Sequence, residues 1–216
     1  MYRVYAVKGF GLLEKQETSP LHKTRILDCA EQLFAQNGFA NTKMLELAKM
    51  ADVNHALTHY YYGSKEKLYE EVIERLFRAW ESKIKVLKWT ESDPRTTLNT
   101  YIREYYKFYN EYKNFYSIRK WDNMERKNVF SKYIDQYWSD DLKEKCFIIE
   151  KWKDKGFVRK SVNPKITMFS IWSILNYFFV QPPEEIGKML DVNGKTEECT
   201  EELVQQITDI ILNGIL

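Results

Sequence analysis

Apolar residues recur three and four apart along most of this chain, the spacing that gives one buried face to an α-helix. Ile26, Leu27, Ala30, Leu33 and Phe34 set the first such stripe. Ser19 followed by Pro20 suits a helix start, and Asn37-Gly38 suits its end, with Phe39 turning back onto Phe34. A short second helix over about Lys43–Ala51 directs Met44, Leu47, Ala48 and Ala51 inward. Asp52 and Val53 form a tight turn, where Asp tolerates positive φ better than most residues. Asn54 then caps a third helix over about His55–Tyr61 with Leu57 inward. Gly63 breaks that helix, and Ser64 starts a fourth, expected to run unbroken through Leu68, Val72, Leu76, Phe77 and Trp80 to about Trp89.

Beyond Ser92-Asp93-Pro94 the same period continues in Leu98, Tyr101, Ile102, Tyr105, Phe108, Tyr109 and Tyr112. A less regular aromatic stretch follows, from Phe115 to Trp138. Another helix is expected over Asp140–Lys155, with Leu142, Cys146, Ile149 and Trp152 on one face. Asn163-Pro164 opens an apolar helix that ends near Val180, and the final stripe is Leu203, Ile207, Ile210 and Ile211. No strand pairing is evident, so the fold class is all-α: a three-helix helix-turn-helix domain at 19–66 and a larger helical domain at 67–216. Residues 1–18 fit neither pattern and read as a loosely held arm. Its Arg3, Lys8 and Lys15 are of the kind that reach DNA phosphates.

Composition changes this picture little. With 8 Gly and 5 Pro in 216 residues, a turn-rich β fold is disfavoured. The net charge of +2 gives scant support for a nucleic-acid partner. Between Pro20 and Glu70 the cations Lys23, Arg25, Lys43, Lys49, Lys65 and Lys67 are matched by Asp28, Glu31, Glu46, Asp52, Glu66 and Glu70. A claim of DNA binding must therefore rest on the motif. Three cysteines, widely spaced and in no metal-ligand pattern, suit reduced thiols in a cytoplasmic protein. The run Ile166–Val180 is too short and too polar for a membrane span, and no signal peptide is expected from the first residues. No nucleophile–base pair, phosphate loop or metal cluster argues for an enzyme, and no cofactor is expected.

The third helix carries the candidate chemistry. His55 and His59, four apart, share a face with Ala56 and Tyr60. That is also metal-ligand spacing, but no third ligand lies nearby in sequence. A solvated face without a partner is the bland alternative.

The segments AEQLFAQNGFANT, LELAKMADV and HYYYGSKEKLYEEV, without a gap from Arg25 to Val72, resemble the N-terminal domain of the tetracycline-repressor (TetR) family. Leu33-Phe34, Gly38-Phe39, Thr42, Leu47-Ala48, Val53 and the run Tyr60–Leu68 carry the likeness. The departures are Asp52 for the usual turn glycine, Lys43 at the start of helix two, and Thr58 where a bulky apolar residue is common. Thr58 is expected to weaken the packing of helix three or shift its register. The resemblance implies phosphate contacts from Thr42, Lys43 and Lys65, and base contacts from Asn54, His55, Ala56, His59 and Tyr60, on a double-stranded DNA operator. It implies a homodimer formed through about 163–180 and 197–215, and a small-molecule effector. Aromatic residues Tyr105, Tyr109, Tyr112, Trp121, Trp172 and Tyr177 are compatible with an apolar or aromatic effector, though such a stripe is also how an ordinary core looks. The function implied is a repressor released by its effector. An activator on the same scaffold, or an interaction module that has lost DNA reading, are the alternatives.

Overall fold

The computed structural model describes the backbone of residues 10–180, 185, 188 and 196–215, and the side chains of 20–177, 185, 188, 202–214. The elements are α1 (Phe10–Asn41), α2 (Met44–Met50), α3 (His55–Tyr62), α4 (Lys65–Trp80), a π-helical turn (Glu81–Lys85), α5 (Pro94–Glu111), α6 (Lys113–Met124), α7 (Val129–Asp154), α8 (Pro164–Val180) and α9 (Thr196–Ile215). No strand occurs among the described residues. Two compact units emerge. One holds the chain up to Arg75 together with Ser117–Val129; the other holds Leu76–Tyr116 and Phe130 onward.

The first unit therefore extends past residue 66 and recruits a distant segment, 117–129. Its core joins Ile26, Ala30, Leu33 and Phe34 of α1 to Leu47 and Ala48 of α2 and to Leu68, Val72 and Ile73 of α4. Phe34 and Phe39 stack at 6.1 Å, and Tyr69 meets them edge-on at 4.9 and 5.1 Å. The turn of Phe39 back onto Phe34 is thus as the sequence suggests. Gly38 makes it possible with φ 76° and ψ 177°, a backbone region essentially reserved for glycine.

The start of α1 differs from expectation. The helix begins at Phe10 and Pro20 lies inside it. A proline deletes one ladder hydrogen bond, whereas Leu12–Glu17 are good helix formers. Of the expected arm, residues 10–18 are therefore helical; 1–9, with Arg3 and Lys8, lie outside the described residues.

The second unit differs in two places. The helix from Lys65 is not continuous to Trp89: regular α4 ends at Trp80, and Glu81–Lys85 widen into a π-helical turn. The helix expected at Asp140 begins at Val129, so the aromatic stretch before it is helical too. Phe130, Tyr133 and Tyr137 extend the inward face of α7, and Phe77 of α4 packs among their rings at 5.3–5.5 Å. Leu142 and Cys146, expected on the core face, are only half-buried. The core positions belong to Asp141 and Lys145, one residue back, where mutual ion pairing admits two charges. The start of α5 is as expected: Pro94 occupies the first turn, and Asp93 caps it by accepting from the Thr96 amide at 2.9 Å. Asn163 caps α8 in the same way through the Ile166 amide. No described helix is long and apolar enough to cross a membrane.

Candidate nucleic-acid interface

The geometry of the α2–α3 turn follows from a few residues. Asp52 takes φ 50°, and the Val53 amide donates to the Ala48 carbonyl at 3.0 Å. Arg25 of α1 donates to the Asp52 carbonyl at 2.9 Å and pins the turn from outside. Asn54 caps α3, its side-chain oxygen accepting from the Ala56 amide at 2.9 Å. These contacts orient a helix of only two turns, which would be marginal alone.

On α3 the inward position falls on Thr58, fully buried, with Leu57 only half-buried. The Thr58 hydroxyl donates to the His55 carbonyl at 2.7 Å, so the buried oxygen is satisfied within the helix. The sequence-level expectation of a shifted register at Thr58 thus has a counterpart. Tyr62 is the second inward residue; its hydroxyl donates to the Lys23 carbonyl at 2.7 Å, and burial pushes its pKa up to about 12. Asn54, His55, Ala56, His59 and Tyr60 are all exposed, Tyr60 at 80%. They form one contiguous outward face on α3.

The two imidazoles meet edge to face at 4.8 Å. His59 Nδ1 lies 2.9 Å from the Gly63 carbonyl oxygen. A carbonyl can only accept, so Nδ1 carries the hydrogen and Nε2 of the neutral ring is an acceptor. Among the described residues no group of three His, Cys, Asp or Glu side chains is arranged to hold a metal ion.

The expected phosphate contacts divide. Lys43 is exposed at the N-cap of α2 and makes no side-chain cap. Thr42 is buried, its hydroxyl 2.7 Å from the Gly38 carbonyl and 3.3 Å from that of Leu33. Lys65 directs its ammonium at the carbonyls of Phe39, Thr42 and Ala40, at 2.7, 2.8 and 3.3 Å. Three N–H donors thus have three protein acceptors, and burial lowers the pKa of Lys65. Neither Thr42 nor Lys65 offers a free side chain to a phosphate. The loop between α1 and α2 had open carbonyls, and the nearest ammonium satisfies them.

Sequence reasoning missed the other side of that loop. Glu125, beyond α6, accepts from the amides of Phe39 and Ala40, both at 3.1 Å. Trp121 donates its indole N–H to the Ala35 carbonyl at 3.1 Å, and Tyr69 donates to Asp122 at 3.4 Å. A Cβ on Gly38 would stand 2.5 Å from Glu125 Oε1 and 2.9 Å from the Trp121 ring. Lys127 and Lys65 lie over the Phe39 ring at 3.8 and 4.4 Å. The segment lies some 85 residues along the chain from the loop it holds, so no local pattern announces it.

The expected effector-lining set is not brought together. Trp121 belongs to the first unit, against α1. Tyr177 is 55% exposed on α8. In the second unit, Tyr105 and Tyr109 are buried, and the Tyr109 hydroxyl donates to Asn176 at 2.5 Å. Tyr112 ends α5 against Phe108, and Trp172 donates to the Tyr101 hydroxyl at 2.8 Å. A helical aromatic stripe predicts burial well and cavity lining poorly.

Residues 26–72 match the family model of bacterial regulatory proteins of the tetR family, and residues 73–216 match that of the YcdC-like protein C-terminal region. The chain is 23% identical over 198 residues to the transcriptional repressor NicS of Pseudomonas putida, covering 89% of this chain and 92% of that protein. It is 25% identical over 214 residues to the transcriptional regulator RutR of Escherichia coli K12, covering 97% of each. Its fold is similar to that of the ketosteroid regulator KstR2 of Mycobacterium tuberculosis, with a TM-score of 0.66 and 17% identity over 89% of this chain and 94% of that one. The helix-turn-helix at 26–72 and the helical remainder are thus both matched, and the chain belongs to the TetR family of transcriptional regulators.

Proposed function

We propose that this protein is a homodimeric repressor that reads its operator with the outward face of α3 and is released by a small molecule bound in its second unit. The observation that carries the reading is the composition of that face. Asn54, His55, Ala56, His59 and Tyr60 are exposed together on a helix whose inward side is fixed by Thr58 and Tyr62. Side chains of this kind match base edges in the major groove. With Nδ1 committed to Gly63, neutral His59 offers Nε2 as an acceptor, suited to the amino group of adenine or cytosine. Lys43 and the amino ends of the helices remain for phosphates; Thr42 and Lys65 act by shaping the loop.

Two recognition helices must be coupled to read two half-sites. The dimer face we assign is the exposed apolar side of α8 and α9: Ile166 (65%), Phe169 (57%), Tyr177 and Ile210 (63%). These lie on the 163–180 and 197–215 segments, and such exposed apolar groups favour a self-complementary interface. The protein would act in the cytoplasm on chromosomal DNA. Selection of bound duplexes from a random pool, followed by footprinting, tests the reading. The expected product is a palindrome whose half-site centres are about 34–36 Å apart or a multiple of that. A pool that shows no enrichment over random sequence would contradict it.

A further inference from the structure

Asp141 and Lys145 stand four apart on the inward face of α7, with side chains only 1% and 3% exposed, and are joined through Asp141 Oδ1. That bond leaves much of the pair's hydrogen-bonding capacity unmet. Asp141 Oδ2 is buried without a hydrogen-bond partner. Lys145 carries three donors, and Asp141 is its one hydrogen-bond partner among the described residues. Its ammonium lies over the rings of Trp89 at 5.7 Å and Tyr101 at 5.3 Å. The indole N–H of Trp89 is also buried and unpartnered. These rings are held in place: Trp89 stacks on Trp152 at 5.5 Å, and the Tyr101 hydroxyl accepts from Trp172.

A buried ion pair is weak in stabilising a fold, because desolvation offsets the attraction between the charges. Here burial raises the pKa of Asp141 and lowers that of Lys145, so it outweighs the partner's charge on both sides. Apolar side chains would fill these positions without that cost. Unmet buried donors and acceptors in a native protein call for an occupant.

We propose that the Asp141–Lys145 pair, with Trp89, recognises a neutral, planar small molecule bearing a hydrogen-bond donor next to an acceptor, as a lactam does. The inference rests on the reading of this chain as an effector-released regulator, and it names the effector's chemistry. A donor N–H would meet Asp141 Oδ2, and a carbonyl would meet Lys145 Nζ or the Trp89 N–H. Neutrality follows from the pair itself: its charges cancel, so an ionic ligand would bring an uncompensated charge into the core. Planarity follows from the rings of Trp89 and Tyr101 beside the ammonium.

The test uses the full chain and 2-pyridone as probe. Tryptophan fluorescence should titrate saturably with 2-pyridone, at least tenfold more tightly than with N-methyl-2-pyridone, which lacks the donor, or with benzoate, which is charged. The variant Asp141→Leu/Lys145→Met should fold, bind the selected operator as wild type does, and lose the 2-pyridone response. Asp141→Asn, which keeps the shape and removes the second acceptor oxygen, should lose it too and serves if the double variant does not fold. Absence of saturable 2-pyridone binding, equal binding of the N-methyl compound, or an unchanged response in a folded variant would each overturn the proposal. Operator binding measured on the same samples separates the two readings: loss of lactam recognition with intact DNA binding defeats only this one.

Discussion

Helix α3 and helix α7 use polar residues in opposite ways. On α3, eight residues long, the polar and aromatic groups face out, and two inward residues fix the helix against its neighbours. On α7, 26 residues long, a carboxylate and an ammonium face in, where Leu142 and Cys146 one position away were the sequence-level choice. The contrast teaches that an outward polar face can be read from spacing, because water tolerates any polar residue there. An inward polar pair cannot, because a hydropathy pattern assigns charge to solvent. Only the partner four residues on makes the burial possible.

The comparison can be broken most forcefully at α7. Asp141→Ala leaves the Lys145 charge buried and alone, and should lower unfolding free energy by about 3–5 kcal/mol. The apolar pair Asp141→Leu/Lys145→Met should be near neutral or stabilising. Urea melts of both variants check this, and equal losses would mean that the pair is an ordinary stabilising contact.

In the first unit the largest effect should come from Gly38→Ala. The backbone at φ 76°, ψ 177° and the 2.5 Å approach of Glu125 both oppose a side chain. A loss on the order of 1–3 kcal/mol is expected from the backbone alone, read in the same melts. Glu125→Gln retains the shape but removes charge from two hydrogen bonds to amides. Its cost should be about 1 kcal/mol, with a larger proportional effect on operator affinity than on stability if the loop sets the angle of α2. Unaltered affinity at saturating DNA concentrations and in titration would detach Glu125 from DNA reading.

A subtler probe is alkaline pH. The pKa of Tyr62 is raised to about 12 from its ordinary 10.0. The unfolded chain therefore ionises first. The stability that the neutral phenol contributes is complete below pH 10, falls as pH rises toward 12, and is lost beyond it. Tyr62→Phe should lose the hydrogen bond to Lys23, a matter of about 1 kcal/mol, and should show a shallower decline between pH 9 and pH 11 than wild type. Parallel pH curves for the two proteins would contradict this origin.

Much of the first unit was legible in the chain. Gly38 with Phe39, Asp52 at positive φ, the Asn54 cap and the exposed set on α3 all follow from local rules that require particular residues at particular offsets. The contributions of Glu125, Trp121 and Asp122 were not legible, since they reach the head from 117–129. Nor was the fate of Lys65: a lysine at a helix start looks the same in sequence whether it meets a phosphate or three carbonyls. In the second unit the helices were visible, but α4's passage into a π-helical turn and the early start of α7 were not, because aromatic residues suit a helix face as readily as an irregular stretch. The assignment of Trp121 and Tyr177 to one lining failed for the same reason: composition says that rings are plentiful, not which way they face.

The central claim is that the outward face of α3 reads sequence. The direct measurement is a competition titration of the selected operator against random duplex, for wild type and for His55→Ala/His59→Ala. Both substituted side chains are exposed, so the variant should retain its melting temperature. The account predicts at least a tenfold loss of operator preference, with binding to random DNA nearly unchanged, because base contacts supply discrimination and phosphate contacts supply general affinity. An undiminished preference in the folded variant would contradict it.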